Sequence, residues 1–298
     1  MELTPPPWQE AQTSLLFKKG DARLLKNYRP LTMLVTMLKL WEKVLYIDLM
    51  TVIESSNLVT RLQTGTLPKT DAQITILLRK ILVHMAREQG KDVYSTQYDY
   101  NKAFNRVNRS KLWLKMYNMG IKGKLWLNIM ATYSHHLETI NIGDITTEPQ
   151  SLANGLRQGS ILSPILFALY LNELAEMLEA TRTGIDAGKA GCGMVPALMY
   201  VDDVEGLSTD PISAYLQNEA VSSFATMNDG VVHKTKTSMV ATTKINDVKR
   251  EMERLNYKIP IHKADEVLGS LMALRKTGVH TPDQRGVTQG EKHEGIPK

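Results

Sequence analysis

Three aspartates placed among apolar residues constrain this chain more than any other feature. Asp99 sits in Tyr98-Asp99-Tyr100-Asn101-Lys102-Ala103-Phe104, and Asp202 and Asp203 follow about a hundred residues later in Met199-Tyr200-Val201-Asp202-Asp203-Val204. Open water hydrates such carboxylates cheaply, whereas the ends of half-buried strands do not, so charge there asks for counter-ions. If the fold gathers them, they form a hard oxygen site for divalent metal, and the chemistry this points to is nucleotidyl transfer. Each aspartate taken alone also reads as a solvated turn residue.

The 298 residues, 43% hydrophobic, suffice to bury a core as one large or two modest domains. Thirty-six Lys and Arg against 31 Asp and Glu give a net charge of +5, a mild bias compatible with a polyanionic partner. Cys192 is the single cysteine, which excludes an intrachain disulfide and cysteine-ligated zinc and suits a reducing compartment. Met1 to Gln12 carries Pro5-Pro6-Pro7 and no apolar run, so it reads as neither signal peptide nor anchor. No other stretch has the apolar length that a membrane span requires.

The opening to about residue 14 reads as a loose lead-in, with turns at Lys18 to Asp21 and Asn27 to Pro30. Leu31 to Ile53 suits an amphipathic helix. After a polar break at Thr64 to Thr70, Asp71 is placed to cap a helix whose apolar stripe is Ile74, Ile76, Leu77, Leu78, Ile81, Leu82 and Met85. Val93 to Tyr98 reads as a strand delivering Asp99. Helices follow over Ser110 to Met119 and Leu125 to Tyr133, then a hairpin turning at Gly143-Asp144. Ser163 with Pro164 reads as an N-cap and first-turn proline of a long helix to about Ala180. Gly184 to Gly193 is a loop, and Pro196 to Tyr200 with Val204 to Leu207 forms a hairpin carrying the acidic pair at its tip. Ile212 to Met227 is helical, Ser238 to Ala241 a strand, Ile245 to Leu255 a charged surface helix, and Glu266 to Met272 a last structured element. From Lys276 onward the composition is that of a disordered tail.

Four motifs occur in order: Asn27-Tyr28-Arg29-Pro30-Leu31, Asp99-Tyr100-Asn101-Lys102-Ala103-Phe104, Arg157-Gln158-Gly159-Ser160-Ile161-Leu162-Ser163-Pro164 and Tyr200-Val201-Asp202-Asp203. This layout resembles reverse transcriptases, in wording those of non-LTR (LINE-type) retrotransposons, and the resemblance spans roughly Leu15 to Gly269. It implies an α+β, right-hand polymerase fold of fingers and palm, with an antiparallel palm sheet packed on helices and a thumb incomplete or absent. The implied division is a lead-in over 1–14, fingers over 15–95, palm over 96–244, late palm or partial thumb over 245–275, and a disordered tail over 276–298. The implied reaction is RNA-directed DNA synthesis, with an RNA template, a DNA primer and deoxynucleoside triphosphates as partners. Asp99 and Asp202 would hold two Mg²⁺ ions, with Mn²⁺ as a substitute and Asp203 supporting or ligating beside them.

The resemblance also assigns the other site residues. Phe104 falls where the family places an aromatic under the sugar of the incoming nucleotide, and otherwise reads as a core ring covering the turn. Arg157, Gln158 and Gly159 correspond to the loop near the templating pair, with a plain helix lead-in as the other reading. Tyr200 and Val201 lie beside the primer end. Lys236 matches a later palm lysine near the triphosphate, with Lys234 competing for the role and a surface lysine as the ordinary reading. Lys69 is a candidate phosphate contact, Arg29 positions the loop or the template backbone, and Val267-Leu268-Gly269 echoes the primer-grip hairpin.

The chain departs from the pattern at Asn105, where a second aspartate is usual, at Val201, where Ala is commoner, and at Glu205 and Gly206 in a strand that is normally apolar. No endonuclease or RNase H constellation is visible, so the chain also reads as a truncated or decayed copy or a fragment of a longer product. Two further readings stay open: a catalytically silent nucleic-acid-binding remnant, and a palm-like nucleotidyl enzyme without a long template. The expected location is intracellular; target-primed retrotransposition would require the nucleus, although no clear basic import cluster is present.

Overall fold

Alternation decides the first element, and it begins earlier than the lead-in expectation allowed. In the computed structural model, β1 spans Glu10–Phe17 with Ala11 and Thr13 turned inward, so only residues before Glu10 precede regular structure. The structure describes residues 10–66, 70–134, 137–142, 145–188, 193–233, 236–243, 245–257 and 259–263, together with Pro5 and Trp8. Lys69, Gly143-Asp144, Cys192, Lys234, Val267-Leu268-Gly269, the Glu266 to Met272 element and the tail lie outside the described residues.

Tyr28–Leu34 forms β2, antiparallel to β1, which replaces both the expected turn at Asn27 to Pro30 and the start of the first helix. Pro30 is tolerated because β2 lies at the sheet edge. Helix α1 is Thr36–Ser56, with Leu38, Glu42, Leu45, Leu49 and Ile53 on its buried stripe. Helix α2, Ala72–Glu88, is capped by Asp71, whose side chain accepts from the Ile74 amide. Its buried face is Thr75, Arg79, Leu82 and Ala86, while Leu77, Leu78 and Ile81 are exposed. The helix is therefore rotated from the expected stripe. The reason is polar: Arg79 Nε donates to buried Glu205 Oε1 at 2.5 Å, and Ser95 Oγ donates to the same oxygen. This pair also accounts for the charge at Glu205 in an otherwise apolar strand.

Strand β3 is Tyr94–Tyr98, followed by α3 (Ala103–Arg106), α4 (Arg109–Asn118) and α5 (Gly123–Tyr133). Strands β4 (Leu137–Ile142), β5 (Ile145–Thr146) and β6 (Gln150–Ser151) come next. β4 runs parallel to β1, so the sheet of β2, β1, β4 and β5 draws on chain well beyond residue 95. Helix α6, Ser163–Ala180, is buried nearly all round, with Leu166, Leu169, Tyr170, Leu174 and Leu178 in the main core. Ser163 is its first residue rather than its cap; the hydroxyl donates to the Arg157 carbonyl instead.

β7 (Ile185–Asp186) falls inside the expected Gly184 to Gly193 loop and pairs with β8 (Met194–Val195), which lies just past it. The remaining elements are β9 (Ala197–Tyr200), β10 (Asp203–Ser208), α7 (Pro211–Met227), β11 (Ser238–Ala241), α8 (Ile245–Arg254) and β12 (Ile261–Lys263). The second sheet has the order β12-β11-β3-β10-β9 and is antiparallel except at β11–β12, which is parallel. α6 and α7 pack on each other, and α7 also packs on β3 and β10. Among the described residues, no helix is long and apolar enough to cross a membrane.

Candidate active site

The hairpin of β9 and β10 closes with Tyr200 opposite Asp203, leaving Val201 and Asp202 as a two-residue turn. Val201 sits at φ +55°, as the first position of such a turn requires, although a β-branched side chain disfavours it. On the other side of β10, Val204 lies opposite Tyr98 of β3. The ladder ends at that pair, and Asp203 and Asp99 are the next residues on the two chains beyond it. The exposed Asp202 stands on the adjoining turn. All three carboxylates therefore belong to one end of one sheet.

A second strand of contacts fixes Asp99. Its carbonyl accepts from the His233 amide at 2.7 Å, and its own amide meets Thr237 Oγ1 at 3.2 Å. Lys236, whose amide donates to the His233 carbonyl at 3.2 Å, brings its Nζ within 3.6 Å of Asp99 Oδ1. Burial pushes the phenols of Tyr98 and Tyr100, the residues either side of Asp99 in the sequence, further above the usual phenol range. The expected closed cluster is only partly formed: among the described residues, no three acidic, imidazole or thiolate groups stand close enough to enclose a metal ion. What the fold provides is an all-oxygen donor set at one sheet end, with a cation already drawn to Asp99. That set suits a hard divalent ion.

Phe104, in α3, is half-buried and stacked on Phe167 of α6, with centroids 4.7 Å apart and planes at 14°. The ring is held by the core and keeps one part accessible. Arg157 is turned inward, against Glu42 and Tyr133. Its Nη2 donates to Glu42 Oε1 at 2.9 Å, and its guanidinium lies 4.3 Å from the Tyr133 ring centroid. Ser160 Oγ donates to the same Glu42 oxygen, and the Ile161 amide to the other. Glu42 thus ties the whole Arg157 to Ile161 loop to α1.

Gln158 is half-buried, and its carbonyl accepts from the Thr32 amide of β2. Gly159 does allow a close approach, but to β2: at φ +132° a Cβ would come 2.3 Å from the Thr32 oxygen. Gly159→Ala is therefore expected to lower stability by about 1–3 kcal/mol through the backbone strain alone, with the clash adding to it, as read by urea unfolding. Gln158, Pro30, Thr32 and Asn105 help line a cavity of about 300 Å³ whose wall includes the buried carboxylate of Glu138, bonded by Thr13 and Thr32. Arg29 is exposed on β2.

Sequence reasoning passed over Glu42, Gln63 and Thr237. Glu42 left a signal, being a charge on the apolar stripe of α1; Gln63 and Thr237 lie in irregular segments where no period marks them.

The fold is that of solved polymerases. A Candida tropicalis telomerase in complex with a fragment of telomeric RNA superposes with a TM-score of 0.57 at 11% identity, covering 78% of this chain and 41% of that one. An apo telomerase of the same organism, truncated from its C-terminal domain, gives 0.55 at 13% identity, covering 82% and 52%. The profile of reverse transcriptase (RNA-dependent DNA polymerase) matches residues 17–276, and the chain belongs to that family.

Among curated relatives, an uncharacterized 149 kDa protein of transposon TX1 from Xenopus laevis is 29% identical over 236 residues, covering 78% of this chain and 18% of the relative. A Pol polyprotein of the type-1 retrotransposable element R2 from Popillia japonica is 29% identical over 201 residues, covering 67% and 27%. A probable RNA-directed DNA polymerase of transposon X-element from Drosophila melanogaster is 24% identical over 188 residues, covering 59% and 19%. The chain spans about a fifth to a quarter of the length of these relatives.

Proposed function

We propose that this chain extends a DNA primer on an RNA template, joining deoxynucleoside triphosphates to the 3′ end with release of pyrophosphate. The observation that carries the reading is the register of β3 against β10, whose last pair, Tyr98 with Val204, leaves Asp99 and Asp203 as the next residues on either side within a reverse transcriptase fold. Asp99, Asp202 and Asp203 would hold two divalent ions, Mg²⁺ by its preference for oxygen and phosphate ligands. When bound, such ions activate the primer hydroxyl and stabilise charge on the departing pyrophosphate. Lys236, tethered beside Asp99, would face the triphosphate and supply positive charge or a proton to the leaving group. In this proposal the sheet containing β1, β2 and β4 belongs to the fingers and the sheet containing β3, β9, β10 and β11 to the palm. Work in the nucleus belongs to the same proposal and is read from the distribution of a tagged chain.

The test is extension of a labelled DNA primer on RNA templates with Mg²⁺ or Mn²⁺. Growth of the primer is the expected result. The rival reading is binding without turnover. It is supported if primer-template binds with a steep salt dependence and no extension occurs under either metal.

Phe104 supplies a further check. A ring fixed by its stack on Phe167 is suited to collide with a 2′-hydroxyl. Phe104→Val is expected to raise ribonucleotide relative to deoxynucleotide incorporation by about tenfold or more in single-nucleotide extension, one lost clash being worth at least about 1.4 kcal/mol. An unchanged ratio would assign the ring to the core alone.

A further inference from the structure

The turn that carries Asp202 is held from outside the sheet. Gln63 lies in the irregular segment between α1 and α2 and is almost fully buried at 1% exposure. Its amide grips both backbone groups of one residue: the Val201 amide donates to Gln63 Oε1 at 3.0 Å, and Gln63 Nε2 donates to the Val201 carbonyl at 3.3 Å. The segment is docked along β9 by three more bonds. The Met199 amide donates to the Leu62 carbonyl at 2.8 Å, and the Thr64 amide and hydroxyl both donate to the Met199 carbonyl, at 2.8 and 3.0 Å. Gly65 lets this backbone come close, since a Cβ there would stand 2.6 Å from the Val201 nitrogen.

Val201 needs such a hold. Its φ of +55° belongs to the left-handed region, which a β-branched residue occupies only when its surroundings over-determine it. A glycine would take this turn position without strain and would need no clamp. The next residue is Asp202, so the set of this turn fixes where that carboxylate points.

We infer that Gln63 is a positioning residue for Asp202, acting through the strained Val201 backbone and coupling the segment before α2 to the acidic hairpin. The inference rests on the polymerase reading for its consequence in turnover, but not for its structural content. Gln63→Met keeps the side chain's length and removes both hydrogen bonds.

Two measurements on the full chain test it. In hydrogen exchange followed by mass spectrometry, the peptide across 198–204 should exchange about tenfold faster in Gln63→Met, because its protection depends on the clamp. In single-turnover primer extension, the rate should fall about 10–100-fold with the nucleotide KM changed by less than about threefold, since a misplaced carboxylate weakens chemistry more than binding. Placed in a Val201→Gly background, the same Gln63→Met change should lower the rate by less than about threefold, because the strain it relieved is gone. Should Gln63→Met fail to fold, Gln63→Leu also removes both hydrogen bonds and adds no buried charge, and is expected to show the same pattern.

Unchanged exchange at 198–204 overturns the inference, as does an equal rate loss in both backgrounds. If the wild-type chain does not extend primers, the polymerase reading fails while the exchange experiment still decides the clamp.

Discussion

Asp202→Asn is expected to reduce single-turnover primer extension at least about a thousandfold while leaving the chain folded. The loss follows from charge: an amide cannot hold a divalent ion as a carboxylate does, and several kcal/mol of transition-state stabilisation corresponds to about three orders of magnitude or more. Folding should change by no more than about 0.5 kcal/mol, because Asp202 is exposed on the turn and packs in no core. Asp99→Ala should lose activity to a similar extent. The backbone bonds of Asp99 to His233 and Thr237 survive that substitution, which removes the carboxylate beside Lys236 and leaves the strand end in place. Extension by either variant within tenfold of wild type would remove these residues from the chemistry.

The largest stability effect is expected at a residue that touches no substrate. Glu42→Ala leaves the Arg157 guanidinium buried without its carboxylate, together with the Ser160 hydroxyl and the Ile161 amide. Breaking one side of a buried ion pair costs about 3–5 kcal/mol, and urea unfolding should show it as a lower midpoint at unchanged slope. Replacing both partners, Glu42→Met with Arg157→Met, should recover much of that loss, since two apolar side chains leave no uncompensated charge. If the single substitution costs less than about 1 kcal/mol, the pair does not hold the Arg157 to Ile161 loop in the way described.

The parts of the structure legible in the sequence were those with a period or a motif. Asp71 caps α2 as expected, the acidic pair sits on the hairpin between β9 and β10, and the long apolar run after Pro164 is the buried helix α6. The parallel pairing of β1 with β4 had no local signal, because it joins segments more than a hundred residues apart. The rotation of α2 was hidden for a different reason. Leu77, Leu78 and Ile81 looked like its core face, but the Arg79–Glu205 pair turned the helix, and a buried ion pair cannot be read from either residue alone. Arg157 and Gly159 stand out in the sequence as a motif, but their partners do not: one braces the loop against Glu42, the other makes room for β2, and both partners lie more than a hundred residues away. Gln63 was invisible because its partner is the backbone of Val201, and backbone partners carry no sequence signature.

The most direct test of the central claim is anomalous scattering from crystals of this chain grown with primer-template and Mn²⁺. Density for an ion ligated by both Asp99 and an oxygen of the Asp202-Asp203 pair is the expected result. An ordered complex with no ion there, and with the Asp99 and Asp202 carboxylates more than about 10 Å apart, too far to share the two-metal site, would contradict it.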